Sequence, residues 1–291
     1  TKHIYNQLQT DRGVWSDYVD NHLIPRLNGF ELLMAPYAMA HLKLDLLLEE
    51  TGYVPTKAGQ RLKVYLSNAL EEPHPEAGSL FASWLANEAN EASFIKRDTP
   101  IMVILGNPPY RGHSANRGRW IEQMIEDYKK EPAGGPLQER NPKWLQDDYV
   151  KFIRFGEYYI ARNQEGILAF INNHAFLDNP TFRGMRWSLL RTFDELFIID
   201  LHGNAKRREV SPDGSPDQNI FDISQGVSIN IFVKYKQSKK KAGLAKVYRF
   251  DLYGPREHKY RFLEEHTLDQ VPFSEVTLYP PYYSFTEHNQ G

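Results

Sequence analysis

The sequence predicts an α/β protein built on an open, doubly wound and mostly parallel sheet. Three observations carry that expectation. Ile101-Met-Val-Ile-Leu105 is an unbroken apolar run that reads as a strand buried on both faces, as strands of parallel sheets are. A second run, Gly166-Ile-Leu-Ala-Phe-Ile171, follows an apolar stripe at helical spacing through Leu145, Tyr149, Phe152, Ile153, Tyr159 and Ile160. A helix over 180–192 and the strand Glu195-Leu-Phe-Ile-Ile-Asp-Leu201 then repeat the pairing, and alternation of this kind is the mark of a parallel sheet covered by helices.

In chain order, residues 1–24 read as helical through Ile4, Leu8, Trp15, Tyr18 and Val19, with a break at Gly13. Leu27-Asn-Gly-Phe-Glu-Leu-Leu33 is a short strand carrying Glu31. Pro36 suits a first helical turn, and Met39, Leu42 and Leu46 recur at helical spacing after it. Leu62-Lys-Val-Tyr-Leu66 alternates like a strand and ends at Ser67-Asn68; residues 71–100, with Pro73, Pro75 and Gly78, read as acidic and irregular. Beyond the apolar run at 101–105, Trp120–Tyr128 reads as a helix. The 202–222 stretch is a long polar loop with Lys206, Arg207 and Arg208. Gly226–Lys234 alternates as a half-buried strand, Lys236–Lys241 is a basic turn, Lys246–Leu252 is a further strand, and a charged helix covers 256–265.

Composition narrows the function classes. The chain has 291 residues, 41% of them hydrophobic, enough for one large domain or one plus a smaller one. Net charge is −2, so no global positive field advertises nucleic-acid binding and any such surface is local. The absence of cysteine excludes disulfides and thiolate metal sites and fits a reducing compartment. No apolar stretch approaches the roughly 18 residues of a membrane span, and a soluble, cytoplasmic protein is expected.

The chemistry concentrates where the central apolar run stops. Gly106 ends it, and Pro108 and Pro109 forbid both a continued ladder and an immediate helix. Asn107, the Pro108 carbonyl and the Tyr110 ring are thereby carried past the carboxyl end of a strand, where open α/β sheets bind ligands. An amide oxygen and a carbonyl can both accept from one amino group, and a phenol ring offers a face to a planar base. The bland alternative is a structural Pro-Pro turn.

Asn-Pro-Pro-Tyr in this setting resembles the catalytic motif of S-adenosyl-L-methionine-dependent amino-methyltransferases, chiefly the adenine-specific (N6) DNA enzymes. Leu27-Asn-Gly-Phe-Glu-Leu-Leu-Met-Ala-Pro-Tyr-Ala-Met-Ala-His-Leu-Lys-Leu44 is similar to the corresponding segment of the single-polypeptide, type ISP restriction–modification enzymes. The resemblance implies a class I, Rossmann-like methyltransferase sheet with one reversed strand at 226–234. It implies that Asn107, Pro108, Pro109 and Tyr110 are catalytic and that Glu31 takes the cofactor ribose. It further implies that Asn68 contacts the cofactor adenine and that Phe221 touches the extruded base. Read alone, Glu31 is an ordinary surface carboxylate and Asn68 a turn or cap residue. Arg111, Arg117 and Arg119 either contact the DNA backbone or form a solvated loop. His174 has no acid or nucleophile at a partner spacing and reads as structural.

Other features of the resembling enzymes are not in the sequence. No glycine-rich loop follows a strand before residue 27, so the first, glycine-loop strand of the methyltransferase sheet is expected to lie outside this chain. There is no phosphate-binding Gly-Lys-Ser/Thr sequence and no metal-ligand spacing among the ten histidines, so no metal site is expected. The expected organisation is a methyltransferase core over 1–253, amino-terminally incomplete, and a linker over 254–291 into a target-recognition region. Double-stranded DNA is the expected partner, with nuclease and helicase regions upstream in the same polypeptide. Two rivals remain: a methyltransferase of RNA adenine or of protein glutamine, and a catalytically incomplete DNA-binding fragment.

Overall fold

A computed structural model describes residues 1–8, 13–57, 61–73, 83–110, 114–139, 142–237 and 243–286, with side chains between 83 and 98 described from residue 86. The chain forms two compact units, Thr1–Thr99 and Pro100–Gly291. The boundary thus falls just before the central apolar run, and residues 254–286 belong to the second unit.

In the first unit, helices α1 (Lys2–Gln7) and α2 (Trp15–Tyr18) lead into β1 (Asn28–Glu31), α3 (Met34–Glu50), β2 (Lys63–Leu66) and α4 (Ser83–Asp98). Trp15, Val19, Leu23, Ile24 and Leu48 form its small core. Strands β1 and β2 are parallel and in register from Asn28↔Lys63 to Glu31↔Leu66, so both carboxyl ends lie on one edge. Helix α4 occupies part of the stretch read as irregular. Its inward face carries Glu88 and Lys96 beside Ala92 and Ile95, and the two charges hid the apolar period. Both charges are satisfied: Glu88 accepts from Arg61 and from the Leu66 amide, and Lys96 donates to the carbonyls of Asn68 and Glu71.

The second unit begins with β3 (Val103–Gly106) and continues through α5 (Arg119–Ile125), α6 (Asp148–Asn163), β4 (Gly166–Asn173), α7 (Arg183–Thr192) and β5 (Glu195–Asp200). It ends with β6 (Val227–Lys234), β7 (Lys246–Asp251), α8 (Arg256–Glu265) and the two-residue β8 (Ser274–Glu275). The sheet order is β3-β4-β6-β5-β7-β8. Strands β3, β4, β5 and β7 point the same way, while β6 runs against both its neighbours, as does β8 against β7. The result is a mixed α/β, mostly parallel sheet. The reversed strand expected at 226–234 is β6.

Helices α6 and α7 cover one face, where Tyr149, Ile153, Ile160, Leu168, Leu189 and Phe232 join the main core. Burial of side chains of this size contributes on the order of 1.5–3 kcal/mol each. Glu157 of α6 ties the layer together by accepting from the hydroxyls of Tyr128, Ser188 and Thr192. One expectation fails here. Strand β3 is not buried on both faces: Val103 is 56% and Leu105 is 73% exposed. It pairs only with β4 among the described residues, at the end of the sheet, and these two side chains are largely open to solvent. Ile104, on the alternate face, does pack against the core.

Candidate active site

The four parallel strands end on one rim of the second unit's sheet, and the sequence places its polar residues there. Register sets Gly106 opposite Phe170, so Asn107 emerges beside Ile171. Asn107 and Pro109 are exposed, Pro108 is buried, and Tyr110 is half-buried. The Tyr110 hydroxyl donates to Asn107 Oδ1 at 2.5 Å and lies 3.1 Å from the Ile171 carbonyl. Burial pushes its phenol up to about 12, so it stays a neutral donor at any physiological pH. No described residue donates to the Pro108 carbonyl. The amide oxygen expected to receive a substrate amine is therefore held at rest by the neighbouring phenol.

Phe221 comes to the same place from the long polar loop. Its ring lies 6.3 Å from that of Tyr110, tilted by 36°, and both pack near Ile171 and Ile223. The loop is closed by Asn219, whose amide donates to the carbonyls of Gly203 at 3.0 Å and Gln225 at 2.6 Å while its oxygen accepts from the Phe221 amide. Gly203 is required at this closure: its φ is +77°, and a Cβ there would sit 2.4 Å from the Asn219 Cα. From α8, Arg256 donates to the carbonyls of Asn219 and Phe221. Lys259, fully buried, donates to the carbonyls of Leu201 and Gln218 and pairs with Asp217 at 2.7 Å.

A second cluster on this rim has no local signature in the sequence. His174 is not without an acid partner: its Nδ1 lies 3.0 Å from Asp200 Oδ1, 26 residues on, at the end of β5. His202 donates from Nδ1 to Glu209 at 3.0 Å and from Nε2 to Asp251 at 2.7 Å, and stacks on Tyr253 at 3.9 Å. Burial would lower the His202 pKa, but hydrogen bonds to Asp251 and Glu209 raise it to about 9. Burial likewise penalises Asp200, yet His174, His202 and Arg249 hold its carboxyl well below the usual carboxylate range. His174, Asp200 and His202 are close enough to share a metal ion. Their donor atoms are already engaged, however: Arg249 occupies the second Asp200 oxygen at 2.8 Å, and both His202 nitrogens face carboxylates. The cluster is held together by these hydrogen bonds and ion pairs.

In the first unit, Glu31 and Asn68 stand on the shared carboxyl edge of β1 and β2, where the Ser67 amide donates to the Glu31 carbonyl. Glu31 is half-buried, and its Oε1 accepts from the Leu33 amide at 2.9 Å. Asn68 Oδ1 accepts from the Leu70 amide at 3.0 Å, the turn geometry that Asn favours, and its Nδ2 reaches Glu71 at 3.4 Å. Arg117 and Arg119 are exposed, the latter opening α5, while Arg111 lies outside the described residues. A cavity of about 260 Å³, lined by Lys130, Glu131, Trp187 and Arg191 among others, shares no residue with the rim.

No family model and no curated protein matches the chain. Solved structures do. The ATP-dependent type ISP restriction–modification enzyme LlaBIII bound to DNA is 21% identical, with a TM-score of 0.78 over 99% of this chain. A nuclease-deletion mutant of the type ISP enzyme LlaGI, in complex with a DNA substrate mimic, is 17% identical, with a TM-score of 0.76 over 99%. A cryo-EM complex of DrdV with DNA is 22% identical, with a TM-score of 0.72 over 96%. The chain spans 20%, 23% and 26% of the length of those three chains, respectively. At these identities the likeness is one of fold.

Proposed function

We propose that the chain is the catalytic core of an adenine-specific DNA methyltransferase of class I, Rossmann-like fold, working within a restriction–modification enzyme. The observation that carries the reading is the Asn107-Pro-Pro-Tyr110 tip at a strand's carboxyl end, with Asn107 exposed and the Phe221 ring near Tyr110. Similarity in fold to enzymes whose structures were solved with DNA favours DNA over RNA or glutamine as the methyl acceptor. The exposed, one-sided β3 supports the view that this sheet takes a further strand, the glycine-loop strand missing from the sequence.

The chain's own residues account for the chemistry. Adenine is turned out of the duplex, and its exocyclic amine donates one hydrogen to Asn107 Oδ1 and one to the Pro108 carbonyl. To reach Asn107, the amine displaces the Tyr110 hydroxyl, which frees that ring to stack on the base. Two acceptors in fixed positions localise the amine lone pair on nitrogen and aim it, a gain of orientation and electrostatics. Stacking offsets part of the unstacking cost of a few kcal/mol. Phe221 supports the other edge of the base. S-adenosyl-L-methionine supplies the methyl group from its sulfonium; the amine proton leaves to solvent after the new N–C bond forms. The donor set fits that cofactor: Glu31 has a second carboxylate oxygen for a ribose diol, and Asn68 carries an amide for the adenine. Arg111, Arg117 and Arg119 serve the DNA backbone. The core takes in the 254–286 segment packed in its second unit, with target-recognition, nuclease and helicase regions elsewhere in a cytoplasmic polypeptide. The partial coverage of the similar enzymes supports this arrangement.

The test is transfer of tritiated methyl groups from the cofactor into unmethylated DNA, RNA and protein by the full gene product. Label in DNA at N6 of adenine, lost in Asn107→Ala while cofactor binding by calorimetry persists, is the expected result. Label confined to RNA or protein, or an Asn107→Ala variant of undiminished rate, overturns the reading. No label together with no cofactor heat would favour the incomplete DNA-binding fragment.

A further inference from the structure

We propose that the turn at Lys206, Arg207 and Arg208 is a phosphate-docking knuckle that grips the DNA backbone beside the extruded nucleotide; the inference rests on the methyltransferase reading. Three consecutive cations in a polar loop are ordinarily a solvated tip. This tip is held too firmly for that. Residues Ala205–Arg207 form a single 3-10 turn capped by the Asn204 side chain, which accepts from the Arg207 amide at 3.2 Å. Arg208 closes the turn in the left-handed region, at φ +50°, and the Glu209 amide returns to the Asn204 carbonyl.

Beneath the turn lies the buried His202 cluster. Glu209 is the acid nearest the three cations in sequence, and both its oxygens face inward, one to His202 at 3.0 Å and one to the Asn204 amide at 2.9 Å. It therefore does not neutralise the tip. Arg207, itself exposed, meets half-buried Asp178 at 3.5 Å, a contact of small value in water. Among the described residues, neither Lys206 nor Arg208 has a carboxylate within ion-pair distance, and all three side chains stand in solvent. The turn is also tied to the base site. It starts two residues beyond Gly203, whose carbonyl is bound by Asn219, and Asn219 in turn fixes the amide of Phe221. A phosphate bound at the knuckle would thus be held by the same closed loop that supplies one wall for the base. A backbone turn fixed before binding leaves less to order on contact than a mobile loop.

The experiment measures binding of the full gene product to duplex DNA by anisotropy across a series of salt concentrations. The variant carries Lys206→Gln, Arg207→Gln and Arg208→Asn, since Asn tolerates the left-handed conformation. A control of equal charge change carries Arg162→Gln, Lys236→Gln and Lys246→Gln on the opposite rim, where α6 and β6 end and β7 begins. Each phosphate contact contributes about 0.9 to the slope of log K against log salt. The expected result is a slope lower by about 2 to 3 in the knuckle variant and unchanged in the control, with cofactor heat and melting temperature as in the wild type. A drop below about 1, or an equal drop in the control, overturns the proposal while leaving the methyltransferase reading intact. Failure of the wild type to bind DNA at all would remove both.

Discussion

The His202 network makes stability depend on pH in a direction that can be worked out beforehand. Two carboxylates, Glu209 and Asp251, each accept from one ring nitrogen, and only the doubly protonated imidazolium supplies both donors. The other groups around the ring are Asp200, His174, Arg249 and Tyr253; burial pushes the Tyr253 phenol up to about 12, beyond the relevant window. With the His202 pKa raised from 6.5 to about 9, linkage assigns the proton about 3 kcal/mol of folding stability. Because the folded-state value is the higher one, that contribution is fully present below pH 6.5 and is lost as pH rises through about 9. Urea unfolding of the wild type and of His202→Gln, followed from pH 6 to pH 10, isolates the effect. The stability gap between the two proteins should shrink by about 3 kcal/mol over that range, whatever its absolute size. A gap that does not change with pH would mean that His202 is neutral in the folded protein, and the donor assignment to Glu209 and Asp251 would then be wrong.

Four further outcomes follow from the structure and the proposed roles. Tyr110→Phe keeps the ring but removes the hydroxyl that occupies Asn107, so single-turnover methyl transfer should be as fast as the wild type or faster. Tyr110→Ala should lose about 1–3 kcal/mol of base stacking, read as a weaker interaction with DNA carrying a 2-aminopurine target base. Glu31→Ala should weaken cofactor binding in calorimetry by about tenfold or more, as loss of a hydrogen bond to a charged group does, while DNA affinity is kept. Lys259→Met leaves the Asp217 carboxylate buried without its cation, which should cost about 3–5 kcal/mol in urea unfolding; the double variant Lys259→Met, Asp217→Asn should recover part of it.

The parts of this protein legible in the sequence are those whose signal is local. The Asn107–Tyr110 tip could be read because an apolar run, a glycine and two prolines stand next to one another and dictate where the chain must turn. The strand at 101–105 was equally visible as a strand, but its burial was not, since an apolar run does not say whether anything lies on its outer face. Helix α4 was hidden by Glu88 and Lys96, charged residues that point inward and find partners on other elements. The Asp200–His202–Asp251 cluster joins residues up to 51 positions apart, and no spacing rule could have assembled it.

The resting state of the tip is a subtler case. Residue types alone identified Asn107 Oδ1 as an acceptor, yet they did not reveal that the chain fills it with its own Tyr110 hydroxyl. Asn107 is itself exposed, so the phenol stands where a water molecule would otherwise donate. The exchange of one donor for another then costs little, because the hydroxyl keeps the Ile171 carbonyl, 3.1 Å away, as a second acceptor. On the proposed reading, base entry and displacement of the hydroxyl from Asn107 are a single step, and the ring proposed to stack on the substrate is the one that fills the acceptor before it.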